Sequence, residues 1–171
     1  RSAWPAASCC TAGERPRPAS AAEEQRRDEK LKVAHEHYLR GTEALSQMDY
    51  WTAAEMLKEA ARLDPRVRNF TLLAQAQAKN PRWRRHAVRS YRQAIEMSEG
   101  DTSTLHLALA KVLEQEERIK EAVVAYREVL RQVPGHATAE EAVARLGGSA
   151  KAATSNTARS GLRDILSRRR Q

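Results

Sequence analysis

The chain has 171 residues, a formal net charge of +8, and 41% hydrophobic but only 5% aromatic residues, a length that allows one domain with room for ends outside it. No segment approaches the roughly 20 apolar residues that cross a bilayer, and the start of the chain has no apolar core, so neither a membrane span nor a signal peptide is expected. Straight-chain helix formers and alanine dominate and no run of alternating β-branched residues occurs, so the expected class is all-α.

Residues 1–25 read as a disordered tail, with prolines at Pro16 and Pro18 and two adjacent cysteines, Cys9 and Cys10. No spaced cysteine framework accompanies them, which points to a reducing, cytoplasmic setting. The first residue is Arg1, as expected of a processed chain or of an excerpt from a longer one. A folded domain is expected over residues 26–146. Its first helix should begin well before Ala34, because Ala22–Val33 is rich in helix formers and has no breaker.

From there the chain repeats itself. Ala53/Leu57/Ala60, Ala87/Tyr91/Ala94 and Ala122/Tyr126/Val129 each follow i, i+4, i+7 spacing, which places the three residues on one helical face. The copies are 34 and 35 residues apart, and small residues, Gly41, Ala74 and Ala110, precede them by 12, 13 and 12 positions. Two antiparallel helices per copy follow, with turns at Met48-Asp49-Tyr50, Asn80-Pro81-Arg82 and Glu116-Glu117-Arg118. One such pair cannot bury its apolar face alone, so neighbouring pairs must stack into a short superhelix. The repeats span about residues 34–67, 68–102 and 103–136. After Pro134-Gly135, Thr138 and Glu141 have the spacing of a capping box, and Ala142, Val143 and Leu146 form an apolar stripe, predicting a capping helix over 137–146. Residues 147–171 read as a flexible basic tail.

The pattern resembles the tetratricopeptide repeat over about residues 34–134, with small residues at Gly41, Ala74 and Ala110, the Ala-x3-bulky second helices, and closing prolines at Pro65 and Pro134. His37, Phe70 and His106 stand where the family has Trp. The resemblance implies three helix pairs plus a capping helix, and a concave groove lined by the first helices. Those positions are His35, Tyr38, Thr42, Leu72, Gln75, Lys79, Thr104, Leu107 and Lys111. The positions matching the family's carboxylate clamp, Tyr38, Thr42, Leu72, Thr104 and Ala108, hold no basic residue, so heat-shock chaperone tails are not expected as ligands. The chain's own N-terminal segment is the competing occupant of the groove. Tyr38-Leu39-Arg40-Gly41, Tyr50-Trp51-Thr52-Ala53-Ala54 and Ala78-Lys79-Asn80-Pro81-Arg82-Trp83 are also similar to repeat regions found after J-domains in certain bacterial proteins. That likeness implies an interaction segment of a larger chaperone-like or regulatory protein.

No His-x3-His pair, Cys/His cluster or Gly-rich phosphate loop occurs, so neither catalysis nor a metal or cofactor is expected. Charge is uneven: Arg62–Arg92 holds nine basic residues against Asp64. In that run Arg82, Arg84, Arg85, Arg89 and Arg92 are placed on the outward side of the middle pair's second helix. Guanidinium forks suit carboxylates and phosphates. The patch therefore reads as a dock for an acidic protein surface, with nucleic acid as the alternative partner and a solvated face balanced by acidic flanks as the bland reading. In the tail, Leu162, Ile165 and Leu166 share a helical face ahead of Arg168-Arg169-Arg170, a pattern suited to anionic lipid or a partner. The expected function is that of a non-catalytic scaffold that binds a protein or peptide partner.

Overall fold

The computed structural model describes residues 21–147, so the basic tail and the stripe at Leu162, Ile165 and Leu166 lie outside the described residues. Among the described residues seven α-helices follow one another: α1 (Ala21–Ser46), α2 (Tyr50–Leu63), α3 (Val67–Lys79), α4 (Arg84–Met97), α5 (Ser103–Gln115), α6 (Ile119–Gln132) and α7 over residues 137–147. No strand occurs among the described residues. The helices pair as α1/α2, α3/α4 and α5/α6, and successive pairs stack through α2 against α3 and α4 against α5. This is the helical-hairpin superhelix the repeat spacing predicts, with α7 closing its end.

The repeated small residues explain why the helices approach closely. Ala53, Ala60, Ala74, Ala87, Ala94, Ala110 and Ala122 are wholly buried, as are Leu57 and Val129. Gly41 packs tightest, since a Cβ there would lie 2.7 Å from Leu57 Cγ.

Two of the three intra-pair turns are alike. Met48 (φ 60°) and Glu117 (φ 58°) adopt the left-handed conformation usually left to glycine. Around them Asp49 N donates to Ala44 O at 2.9 Å and Met48 N to Leu45 O at 3.1 Å, with Arg118 N to Leu113 O and Glu117 N to Glu114 O matching in the third pair. That is the Schellman arrangement, which satisfies the last carbonyls of the first helix. Asp49 then caps α2, accepting from Thr52 N at 3.1 Å, and these Thr52 hydrogen bonds hold its carboxyl below the usual range. The middle turn has one more residue and a proline, and it folds instead as a 3-10 turn, Pro81–Trp83, with Asn80 accepting from Arg82 N at 3.0 Å.

Three sequence expectations need adjustment. Arg82 lies in the 3-10 turn and not on α4, because Pro81 starts a tighter turn before the α-helix begins at Arg84. The Thr138/Glu141 capping box does not form. Ala139 N and Glu140 N both donate to His136 O, so α7 starts at residue 137 as expected but with His136 and not Thr138 in the capping place, and Thr138 Oγ1 sits 2.9 Å from His136 Nδ1. Finally, α1 begins at Ala21, five residues before the boundary drawn at 26. Its 26 residues span about 39 Å at 1.5 Å per residue, against about 21 Å for the 14 of α2, so its exposed, charged first half projects beyond its partner.

Candidate functional site

The first helices of the pairs, α1, α3 and α5, share one side, and α1 touches α3 directly. On α1, His35, Tyr38, Leu39 and Thr42 follow i, i+3, i+4, i+7 spacing and so lie on a common face. The Tyr38 ring stacks on His35 with centroids 6.3 Å apart, and the Arg68 guanidinium of α3 lies 4.7 Å from the Tyr38 centroid. Such a cation–π contact across two pairs fixes the mouth of this face. Tyr38, Leu72 and Leu107 are half-buried against the core, which holds them in place while leaving an edge exposed. Thr42 is half-buried and donates to Leu39 O at 2.8 Å, while His35, Gln75, Lys79, Thr104 and Lys111 are exposed. Lys79 and Lys111 have no carboxylate partner among the described residues. Glu114, near Lys111 on α5, is already engaged by the Tyr126 hydroxyl at 3.2 Å and by Arg145 at 2.7 Å.

Sequence reasoning omitted Arg68 and Leu39 from this face. The signal was present, because Arg68 lies one helical turn before Leu72 and Leu39 lies one turn after His35. Leu39 is 52% exposed, an apolar side chain left uncovered beside Tyr38.

The five arginines of the basic run do not form one patch. Arg84 is half-buried and directs Nη1 to the last carbonyl of α5, Gln115 O, at 3.5 Å. Arg85 pairs with Glu116 at 3.6 Å and Arg92 with Glu121 at 2.7 Å. Glu121 also takes a bidentate bond from Arg118, and these arginines, Arg118 first, hold its carboxyl below the usual range. Three of the five therefore bridge the middle pair to the third, where the stacked α5–α6 turn supplies acids that the linear sequence places far away. Arg89 and Arg82 remain exposed, and no ion pair or side-chain hydrogen bond holds either guanidinium among the described residues.

The second helices splay apart, leaving two clefts on the other side. One, of about 520 Å³, separates α2 from α4 over a floor of α3; the other, of about 580 Å³, separates α4 from α6 over α5. His106 lines the second, where burial lowers its pKa. Among the described residues no group of three or more His, Cys, Asp or Glu side chains could hold a metal ion, and no helix is long and apolar enough to cross a membrane.

No protein-family model matches the chain, and no curated protein is matched by its sequence. Solved structures do match. The TPR domain of Arabidopsis OM64 superposes with a TM-score of 0.61 at 20% identity, over 70% of this chain and 98% of that one. The TPR2B domain of yeast Sti1, in its pHsp70 complex, gives 0.58 at 18% identity, over 69% of this chain and 98% of that one. YrrB, described as a TPR protein with an unusual peptide-binding site, gives 0.62 at 20% identity, over 76% and 72%. The molecule thus has the tetratricopeptide-repeat fold. At these identities the likeness establishes architecture, and the ligand must be sought in this chain's own surfaces.

Proposed function

We propose that this protein is a non-catalytic interaction module that binds an extended or helical segment of a partner protein along the face of α1, α3 and α5. The observation that carries the reading is the line of half-buried apolar side chains, Tyr38, Leu72 and Leu107, flanked by Arg68, Lys79 and Lys111. Anchored apolar side chains bind without a large ordering cost, while the flanking cations favour a segment carrying carboxylates. The pHsp70 complex of the Sti1 domain and the peptide-binding site of YrrB fit this use of the fold. The clamp positions Tyr38, Thr42, Leu72, Thr104 and Ala108 hold no cation, so the recognition differs from a clamp on a terminal carboxylate. A role inside a larger chaperone-like protein and a cytoplasmic setting belong to the same proposal. The nucleic-acid alternative loses support, because Arg84 and Arg92 are engaged by the third pair.

Site-directed photo-crosslinking in the source cell tests this. Benzoylphenylalanine in place of Gln75 or Thr104 should trap a discrete partner, and the same probe in place of Arg127, exposed on α6, should not. Tyr38→Ala combined with Leu107→Ser should remove the adduct while the far-UV spectrum stays helical. Adducts from Arg127 alone would reject the reading.

A further inference from the structure

The cleft between α2 and α4 has no counterpart in that reading and lies on the opposite side of the superhelix. Its floor and walls are apolar: Ala54 and Ala61 from α2, Phe70 and Leu73 from α3, and the Trp83 ring, held half-buried by the extra residue of the middle turn. At its base Ser90 Oγ donates to Gln77 Oε1 at 2.9 Å, so these two polar groups satisfy each other and demand nothing of a ligand. The rim is charged. Lys58, Arg62 and Arg89 face Glu55 as the one carboxylate of the lining, with His86 beside them. Arg62 is paired with Glu59 at 2.8 Å and Lys58 reaches Glu55 only at 4.0 Å, whereas the Arg89 guanidinium has no partner among the described residues.

We infer that this outer cleft is a second docking site, for an acidic amphipathic helix of a partner protein. Dimensions and charge select that occupant. Lining residues run from Ala54 to Arg62 on α2 and from His86 to Gln93 on α4, about 10–12 Å along each helix, the length of two helical turns. A volume near 520 Å³ falls in the roughly 300–1,000 Å³ range of formed binding pockets and admits apolar side chains from successive turns against Trp83, Phe70 and Leu73. Carboxylates on the flanks of such a helix meet Arg89 and Lys58. The chain's own ends are the wrong sign for this rim: residues 1–20 carry three arginines against Glu14, and residues 148–171 carry six basic residues against Asp164.

The test uses the full chain and a synthetic 14-residue helical peptide with leucines at i, i+4 and i+7 between flanking glutamates. Saturable binding is expected, with NMR shifts at the Trp83 indole N–H and at the amides of Gln77, Ser90 and Gln93. Lys58→Glu with Arg89→Glu should weaken it at least about tenfold, since both side chains are exposed and their reversal leaves the core intact. Arg40→Glu with Arg127→Glu, an equal charge change at exposed positions outside both faces, should leave the affinity within about twofold. Replacing the peptide's glutamates with lysine should abolish binding to the unmodified protein, an arm that needs no variant to fold. Leu107→Ser should leave the shifts at Trp83, Ser90 and Gln93 and their titration midpoint unchanged, which separates this site from the α1, α3 and α5 face. No saturable binding, equal weakening by both charge-reversed variants, or shifts confined to α1, α3 and α5 would each overturn the proposal. So would concentration-dependent self-association that Lys58→Glu with Arg89→Glu abolishes, which would give the cleft to a second copy of the chain.

Discussion

In the first helix pair Gly41 on α1 meets Leu57 on α2, and in the third Ala110 on α5 belongs to the pair whose bulky residue is Tyr126 on α6. Leucine branches at Cγ, so its bulk lies close to its own helix and claims the space that a Cβ on residue 41 would need. A tyrosine ring is flat and extends further, and Tyr126 ends with its hydroxyl on Glu114 while the Ala110 methyl stays wholly buried. The bulky residue thus decides how small its opposite number must be. The repeat is conserved in shape along the chain, not in residue type.

The largest effect that could break this comparison is the removal of Leu57 itself. Leu57→Ala should cost about 2–5 kcal/mol, because the side chain is fully buried and its helices cannot close the gap completely. Chemical denaturation reads this directly, and a loss under 1 kcal/mol would mean that the first pair contributes little to the fold.

Gly41→Ala should cost about 1–3 kcal/mol from the clash with Leu57, outweighing the helix-propensity gain of roughly 1 kcal/mol. In a Leu57→Ala background the same change should become neutral or stabilising. Additive effects in that double-mutant cycle would show that the close approach is not the reason for glycine.

The tyrosines sharpen the other half of the comparison. Burial pushes both Tyr91 and Tyr126 up to about 12, and Glu114 adds to the rise at Tyr126. The folded state then holds these protons after an unfolded chain has lost them near pH 10, so stability should be intact below pH 10 and fall as pH rises toward 12. His106 works oppositely: burial lowers its pKa, so its contribution is lost as pH falls below about 6.5. Thermal melts at pH 9, 10 and 11 should show the alkaline loss, and Tyr91→Phe should diminish it. An unchanged slope in that variant would assign the loss to other groups.

The smallest effect concerns the turns that the first and third pairs share. Glu117→Gly should stabilise by about 0.5–1 kcal/mol by relieving a left-handed non-glycine residue, and Met48→Gly should do the same. Asn80→Gly, in the extended middle turn, should destabilise, because it also removes the bond to Arg82 N.

Spacing alone determined the seven helices, their pairing and the stripe by which α7 covers the end, because a period of 3.6 residues fixes which side chains share a face. The family resemblance, and not the spacing, marked Tyr38, Leu72 and Leu107 as groove positions. The tertiary structure alone decided what the charges do. Arg85 and Arg92 find Glu116 and Glu121 only because α4 is stacked on the third pair, about 30 residues away along the chain. It also decided the outer clefts, which arise between second helices that never touch in sequence, and the left-handed Met48 and Glu117, which no local preference announces. Periodicity is a property of one helix and can be read along the chain. Pairing of charges and the width of a gap depend on the distance between helices, which only the packing of Gly41, Leu57 and their counterparts fixes.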